Sequence, residues 1–131
     1  MFVKMGKLLL FNGHFPKLCS LLEQVIFVKV VEHSSHTLGH SISVNPTSIY
    51  VFYQEATGYW VKAVVGLPYY AKNGKVGEPA HGRFLYFGDD DKAYAAMALL
   101  NSSLFYMYFI TYGDCFHLSA TLATEFPVSS T

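Results

Sequence analysis

The side chains best suited to binding chemistry form a basic and aromatic set within residues 59–83. The set consists of Tyr59, Trp60, Lys62, Tyr69, Tyr70, Lys72, Lys75, His81 and Arg83. Lysine and arginine contact phosphates, and aromatic rings stack on bases or wedge into a DNA groove. Four of the nine Lys and Arg residues lie here, and Glu78 is the only acid of the stretch. This local positive charge suits either a nucleic-acid contact or an ordinary exposed loop.

Three histidines, His33, His36 and His40, are the best candidates for metal ligands. Imidazoles at such spacing can share a metal on a helix or tight loop. The segment holds Ser, Thr and Gly, however, and no fourth ligand is nearby, so a solvated loop is favoured. The three aspartates at 89–91 favour a helix N-cap, because three consecutive residues cannot all face one ion. No metal site is expected.

A nucleophilic triad can be drawn from Ser102 or Ser103 with His117 and Asp114. Both serines lie in an apolar helical pattern, where a hydroxyl usually bonds to the preceding turn. The sequence also lacks a Gly-rich phosphate loop and a G-x-S-x-G nucleophile elbow. We therefore expect no catalytic residue in these 131 residues.

Composition places this chain among folded single domains, with 1–131 as one domain that is a fragment or split module. Apolar residues make up 52% and charged residues 14%, which excludes a disordered chain. The net charge of zero excludes a basic nucleic-acid tail. Cys19 and Cys115 match no disulfide framework, and no signal peptide is recognised, so both are expected to be reduced and buried in a cytoplasmic protein.

Periodicity predicts the elements of the first half. Residues 15–25 have helical spacing, with Pro16 in the first turn, and residues 25–31 read as a strand. Residues 32–48 are rich in turn formers and are expected to be a loop. Segments 49–54 and 59–65 predict a β-hairpin around a four-residue turn.

The second half is predicted to hold a loop at 66–82 with a turn at Asn73-Gly74, then a strand at 83–88. One long buried helix is expected over about 92–112, ended by Gly113. Although 93–112 lacks charge, Asn101-Ser102-Ser103 at its centre favours a buried helix over a membrane span. The tail predicts a strand at 116–118 and a helical turn from Ser119. The fold class is α+β: a small, mostly antiparallel sheet on one long helix, with a shorter N-terminal helix.

Three segments of the C-terminal half carry a family resemblance. Residues 96–109 read AMALLNSSLFYMYF, residues 113–118 read GDCFHL, and residues 125–128 read EFPV. This pattern resembles the C-terminal target-recognition region of N6-adenine DNA methyltransferases, a group that includes TaqI-like specificity domains and type II restriction–modification enzymes. Upstream, GYWVK at 58–62 and PYY at 68–70 resemble the same region. The resemblance covers about 49–128.

The family's catalytic features are missing from this sequence. The only Asn-Pro lies at Asn45-Pro46, without the second proline and aromatic of the family motif, and the Gly-rich motif for S-adenosylmethionine is absent. The resemblance therefore implies a specificity module for double-stranded DNA. The catalytic domain, which would bind S-adenosylmethionine, would then be a separate domain or subunit.

Within that interpretation the expected phosphate contacts are Lys62, Lys72, Lys75 and Arg83. Further DNA contacts are expected from Tyr59, Trp60 and His81. The alternative is a protein–protein interaction or scaffolding domain without a nucleic-acid role, which the zero net charge favours. In either case the apolar surplus predicts a covering partner or self-association.

Overall fold

The computed structural model describes residues 16, 17, 20–58 and 60–129. In these ranges the chain is mixed α/β, with three helices longer than seven residues and small antiparallel sheets. The helices are α1 Leu21–Glu32, α2 Asp90–Leu100, α3 Ser103–Tyr112 and the short α4 Ala120–Thr124, with a 3₁₀ turn at Leu38–Ser41. The strands are β1 His36–Thr37, β2 Ile49–Gln54, β3 Ala63–Val65, β4 Ala71–Lys72, β5 Lys75–Val76, β6 Gly82–Phe87 and β7 Pro127–Val128.

The largest sheet has the strand order β3-β2-β6 and is antiparallel throughout. Its predicted hairpin is confirmed, with Phe52 opposite Val64, although β3 is shorter than expected. Because side chains alternate along β2, Val51 and Tyr53 face the core with no exposed surface. Helix α2 packs on this inner face, against all three strands. Short β1 and β7 pair separately, as do β4 and β5.

The prediction of one long buried helix over 92–112 is wrong. The helix breaks at Asn101 and Ser102, and α2 meets α3 at 63°. Ser102 is the N-cap of α3, and its hydroxyl accepts from the Phe105 amide at 3.1 Å while donating to the Leu99 carbonyl at 2.6 Å. Short polar side chains compete with the helical backbone in this way and terminate helices.

The two halves of that predicted helix also differ in burial. Helix α3 buries Phe105, Tyr108 and Phe109 within the core, and the Tyr108 hydroxyl donates to the Leu122 carbonyl at 2.9 Å. Helix α2 buries only Ala93, Ala96 and Leu100, and Tyr94 on its outer side is 55% exposed. The core therefore lies between α3, the sheet and the C-terminal segment rather than around one long helix.

The strand predicted at 25–31 is also wrong, because these residues belong to α1. Ser20 and Glu23 form a reciprocal capping box that starts this helix at Leu21 rather than near Pro16. Phe27 is 2% exposed and meets the Tyr112 ring edge-on, so tertiary packing overrides the β-propensity of the valines. The expected helix start before residue 16 lies outside the described residues.

The expected starts of two helices are confirmed. Asp89 is the N-cap of α2, accepting from the Lys92 amide at 2.8 Å, and Ser119 caps α4. The strand expected at 116–118 is reduced to one bridge, between His117 and Ala56. In the described part of the chain no single helix is long and apolar enough to cross a membrane; α2 and α3 would qualify only together, across their bend.

Candidate nucleic-acid interface

A projecting hairpin holds two of the predicted phosphate contacts. We call residues 69–79 the finger; its strands β4 and β5 pair with each other and with no other strand. Asn73 and Gly74 both have positive φ, 53° and 75°, as a two-residue type I′ turn requires. The predicted turn is therefore confirmed, and every residue from 71 to 78 is exposed.

Lys72 and Lys75 lie directly opposite each other in the finger. Opposed residues of an antiparallel pair point to the same face with their Cβ atoms about 5 Å apart. Neither ammonium has a carboxylate partner among the residues that the structure describes. Two like charges held side by side destabilise a hairpin unless an anion joins them.

A shallow groove of about 420 Å³ separates the base of the finger from the outer face of the large sheet. It is lined by Phe52, Gln54, Lys62, Ala63, Val64, Pro68, Tyr69, Tyr70, Pro79 and Asn101. The structure thus brings Lys62 together with the two finger tyrosines, and Tyr69 is 82% exposed. The lining mixes aromatic rings with an ammonium and amides, a combination that suits nucleic-acid stacking and phosphate contact.

The floor of the groove depends on Gly82. A Cβ at this position would lie 2.2 Å from Cε2 of Phe52, so the Phe52 ring occupies the space that any larger residue would need. Phe52 also packs edge-on against Phe84, which stacks with Tyr86 along the same outer face. The outer face of this sheet is therefore aromatic.

The remaining predicted contacts lie at the end of the sheet where β2 finishes. Arg83 binds Glu55 through two guanidinium nitrogens, with Nη2 and Nε 2.8 and 2.9 Å from the carboxylate, so its charge is already balanced. His81 is exposed with φ at 60°, and Trp60 is 63% exposed while stacking on Tyr106 at 4.5 Å. Tyr59 lies outside the described residues.

Tyr53 lies beside this Arg83–Glu55 pair, on the core side of the sheet. Burial raises its pKa to about 12, an effect that the nearby Arg83 guanidinium opposes and Glu55 reinforces. Its hydroxyl has no hydrogen-bond partner among the described residues. A buried hydroxyl without a partner destabilises the folded state, so this phenol is a local weakness of the core.

The structure does not bring His33, His36 and His40 together as one metal-ligating group. His33 ends α1, with Nδ1 2.8 Å from the Lys29 carbonyl, while the His36 and His40 rings are 4.9 Å apart. Among the described residues no three His, Cys, Asp or Glu side chains converge as metal ligands.

The residues of the hypothetical triad have local structural roles. Ser102 caps α3, as described above. Asp114 accepts from the backbone amides of Phe116 and His117 at 2.8 and 2.7 Å, and these bonds lower the pKa of its carboxyl. The His117 ring contacts the same carboxylate at 3.4 Å. Cys115, expected to be buried, is a free thiol that is only partly buried; Cys19 lies outside the described residues.

Two residues of this candidate site are not singled out by the sequence. The pattern places Gln54 in a strand and Asn73 in a turn, and neither carries a charge or belongs to a motif. The alternation along β2 could have placed Gln54 on the outer face together with Phe52. Comparisons of this chain with protein-family models, curated proteins and solved structures find no match.

Proposed function

We propose that this chain is a DNA-binding target-recognition module of a cytoplasmic restriction–modification N6-adenine DNA methyltransferase. The observation that carries the proposal is the in-register pair Lys72 and Lys75, exposed on the finger without a carboxylate partner in the described chain. A phosphate between the two ammonium groups would relieve their repulsion, and duplex DNA supplies phosphates at regular spacing. The sequence resemblance supports the same conclusion independently.

The geometry ranks the proposed contacts. Lys72 and Lys75 come first and Lys62 in the adjoining groove comes next. Arg83 contributes less, because Glu55 compensates its charge. Trp60 and His81, near the end of the sheet, are further proposed contacts, and Tyr59 is proposed from the sequence alone. With only a few uncompensated cations among the described residues, this module binds DNA weakly by itself and acts together with a second module.

Catalysis is assigned to that second module. In the family, the catalytic domain carries the Gly-rich motif that binds the methyl donor S-adenosylmethionine and the catalytic Asn-Pro-Pro-Tyr/Phe motif. Neither motif occurs in this sequence. The present chain contributes duplex binding and orientation, so it is proposed to have no methyltransferase activity alone.

An apolar surface on α1 supports the presence of a protein partner. Leu21, Leu22 and Val25 lie within one turn and are 63%, 69% and 43% exposed. We propose that the catalytic module covers this face. Without it, the isolated chain is expected to self-associate, and sedimentation velocity on Leu22→Glu should show a smaller species than wild type. A monomeric wild type at high concentration would contradict this.

A salt-dependent anisotropy titration tests DNA binding. Each lysine–phosphate contact contributes about 0.9 to the slope of log K against log salt concentration. The double variant Lys72→Ala/Lys75→Ala should therefore bind a mixed-sequence duplex with a slope smaller by about 2. Lys92→Ala is the matched control, because its ammonium pairs with Asp89 at 3.2 Å on α2, away from the finger.

Three outcomes separate the candidates. A reduced slope in the double variant and an unchanged slope in Lys92→Ala support the proposal. Equal slopes in all three proteins would place DNA contacts elsewhere and overturn the role of the finger. Absence of binding at low salt, with and without a cognate catalytic module, would instead favour the protein-interaction alternative that the α1 surface also fits.

A further inference from the structure

The tip of the finger carries a polar group that no part of the described structure uses. Asn73 occupies the first turn position, between Lys72 and Gly74, and is exposed. Among the described residues its side-chain amide makes no hydrogen bond. The lysines on either side of the turn carry only donor groups, and Gly74 has no side chain. Asn73 is therefore the one side chain at the tip able both to donate and to accept.

The finger is a two-stranded antiparallel ribbon, a kind of element that can read DNA. The major groove of B-DNA is about 12 Å wide and admits a two-stranded β-ribbon. Because β4 and β5 pair only with each other, the finger can enter this groove without separating from another strand. Lys72 and Lys75 would then lie on one face of the ribbon, within reach of phosphates.

We propose that Asn73 reads an A·T base pair from the major groove. A carboxamide binds the major-groove edge of adenine in one bidentate arrangement, in which its N–H donates to adenine N7 and its oxygen accepts from the adenine N6 amine. The proposal rests on the DNA-binding function above and adds the specificity-determining residue to it. It assigns base selection to Asn73 and phosphate contact to the two lysines.

Asparagine is also a favoured residue for a position with φ of 53°, so the test must keep the turn intact. Glycine and aspartate adopt the same backbone conformation. Asn73→Gly removes the amide, and Asn73→Asp replaces it with an acceptor that suits the cytosine N4 amine. Both variants are expected to fold as the wild type does, which far-UV circular dichroism checks.

The experiment is selection of duplexes from a randomised library by the full chain, followed by competition titrations. The wild type should select a motif with one A·T pair whose replacement weakens binding about tenfold. Asn73→Gly should lose that preference at this position alone, and Asn73→Asp should shift it toward C·G. Lys72→Ala should weaken binding to all sequences about equally.

The outcomes distinguish this inference from the proposed function. A wild type that binds DNA without sequence preference, or variants that select the wild-type motif unchanged, would overturn the role of Asn73 and leave DNA binding standing. A wild type that binds no duplex would overturn both.

Discussion

Two exposed asparagines, Asn101 between α2 and α3 and Asn73 on the finger, are used in opposite ways. The Asn101 amide donates to the carbonyls of Ala63 and Met97 at 2.8 and 2.9 Å and accepts from the Ala63 amide at 3.0 Å. The Asn73 amide makes no such bond within the described chain. The Asn101 side chain joins α2 to β3, and the Asn73 side chain is the one proposed to bind a ligand.

The bonds to Ala63 explain what Asn101 does. Strand β3 is an edge strand, so its outer N–H and C=O groups lack a neighbouring strand. The Asn101 amide binds both groups of Ala63 as the backbone of another strand would. The Asn101 amide also donates to the Met97 carbonyl near the end of α2, and this bond fixes where the helix ends.

This contrast bears on the family resemblance. Its most specific segment, residues 96–109, contains Asn101 and Ser102, whose hydrogen bonds are all internal. The segment therefore reports mainly on how the chain folds. The proposed contacts with DNA lie in the less specific upstream part, where Lys62, Lys72 and Lys75 have no ion-pair partner among the described residues, although Arg83 is paired with Glu55.

The largest expected effect tests the internal role of Asn101. Asn101→Ala removes three hydrogen bonds at a partly solvated junction and should lower the free energy of unfolding by about 2 kcal/mol. Urea denaturation measures this change, and the DNA salt slope of the folded variant should equal that of the wild type. Asn73→Gly is the matched control, with little loss of stability. Equal destabilisation by the two variants would contradict the difference in structural role between Asn101 and Asn73.

The next largest expected effect concerns the buried hydroxyl of Tyr53, which has no hydrogen-bond partner among the described residues. Tyr53→Phe removes a buried group without a partner and should raise the free energy of unfolding by about 1 kcal/mol. Because burial raises the pKa of Tyr53 from 10.0 to about 12, the phenol ionises first in the unfolded state, and the free energy of unfolding falls as the pH rises from 10 to 12.

The stability advantage of Tyr53→Phe should therefore widen between pH 10 and pH 12. Denaturant midpoints of the two proteins measured across this range provide the check. A constant difference in stability would mean that the phenol of Tyr53 finds a partner in solution.

The smallest expected effect on stability tests the finger. Lys75→Glu replaces like charges by opposite charges across the hairpin and should stabilise it by about 0.5 kcal/mol. The same substitution should weaken DNA binding more than Lys75→Ala does, because it adds a repulsive charge. Amide exchange of the finger and anisotropy titrations measure the two effects. A gain in both stability and affinity would show that Lys75 faces away from the phosphates.

Much of the local structure could be predicted from short-range chemistry. Asp89 and Ser119 act as helix caps, Asn73-Gly74 forms its turn, and β2 pairs with β3 as the alternating pattern indicates. In each case the deciding interaction lies within a few residues. The three-strand order and the bridge between His117 and Ala56 join distant segments, and no local pattern could have predicted them.

The two largest errors, the strand predicted at 25–31 and the single helix predicted over 92–112, have the same origin. The valines of 25–31 favour a strand locally, but Phe27 packs against Tyr112, more than eighty residues later, and the capping box at Ser20 completes a helix. The apolar run 92–112 favours one helix, but Asn101 binds the edge of β3 and ends it. Long-range contacts outweigh propensities, which differ by less than about 1 kcal/mol per residue.

The sequence by itself determined the positive bias of 59–83, the finger turn, the helix caps and the absence of a recognisable catalytic motif, because each depends on residue type and short spacing. Only the tertiary structure decided which cations are free. It pairs Arg83 with Glu55 and sets Lys72 beside Lys75. Whether a charged or amide group is satisfied depends on what the fold brings within about 3 Å of it, and that distance is set by strand pairing and packing rather than by order along the chain.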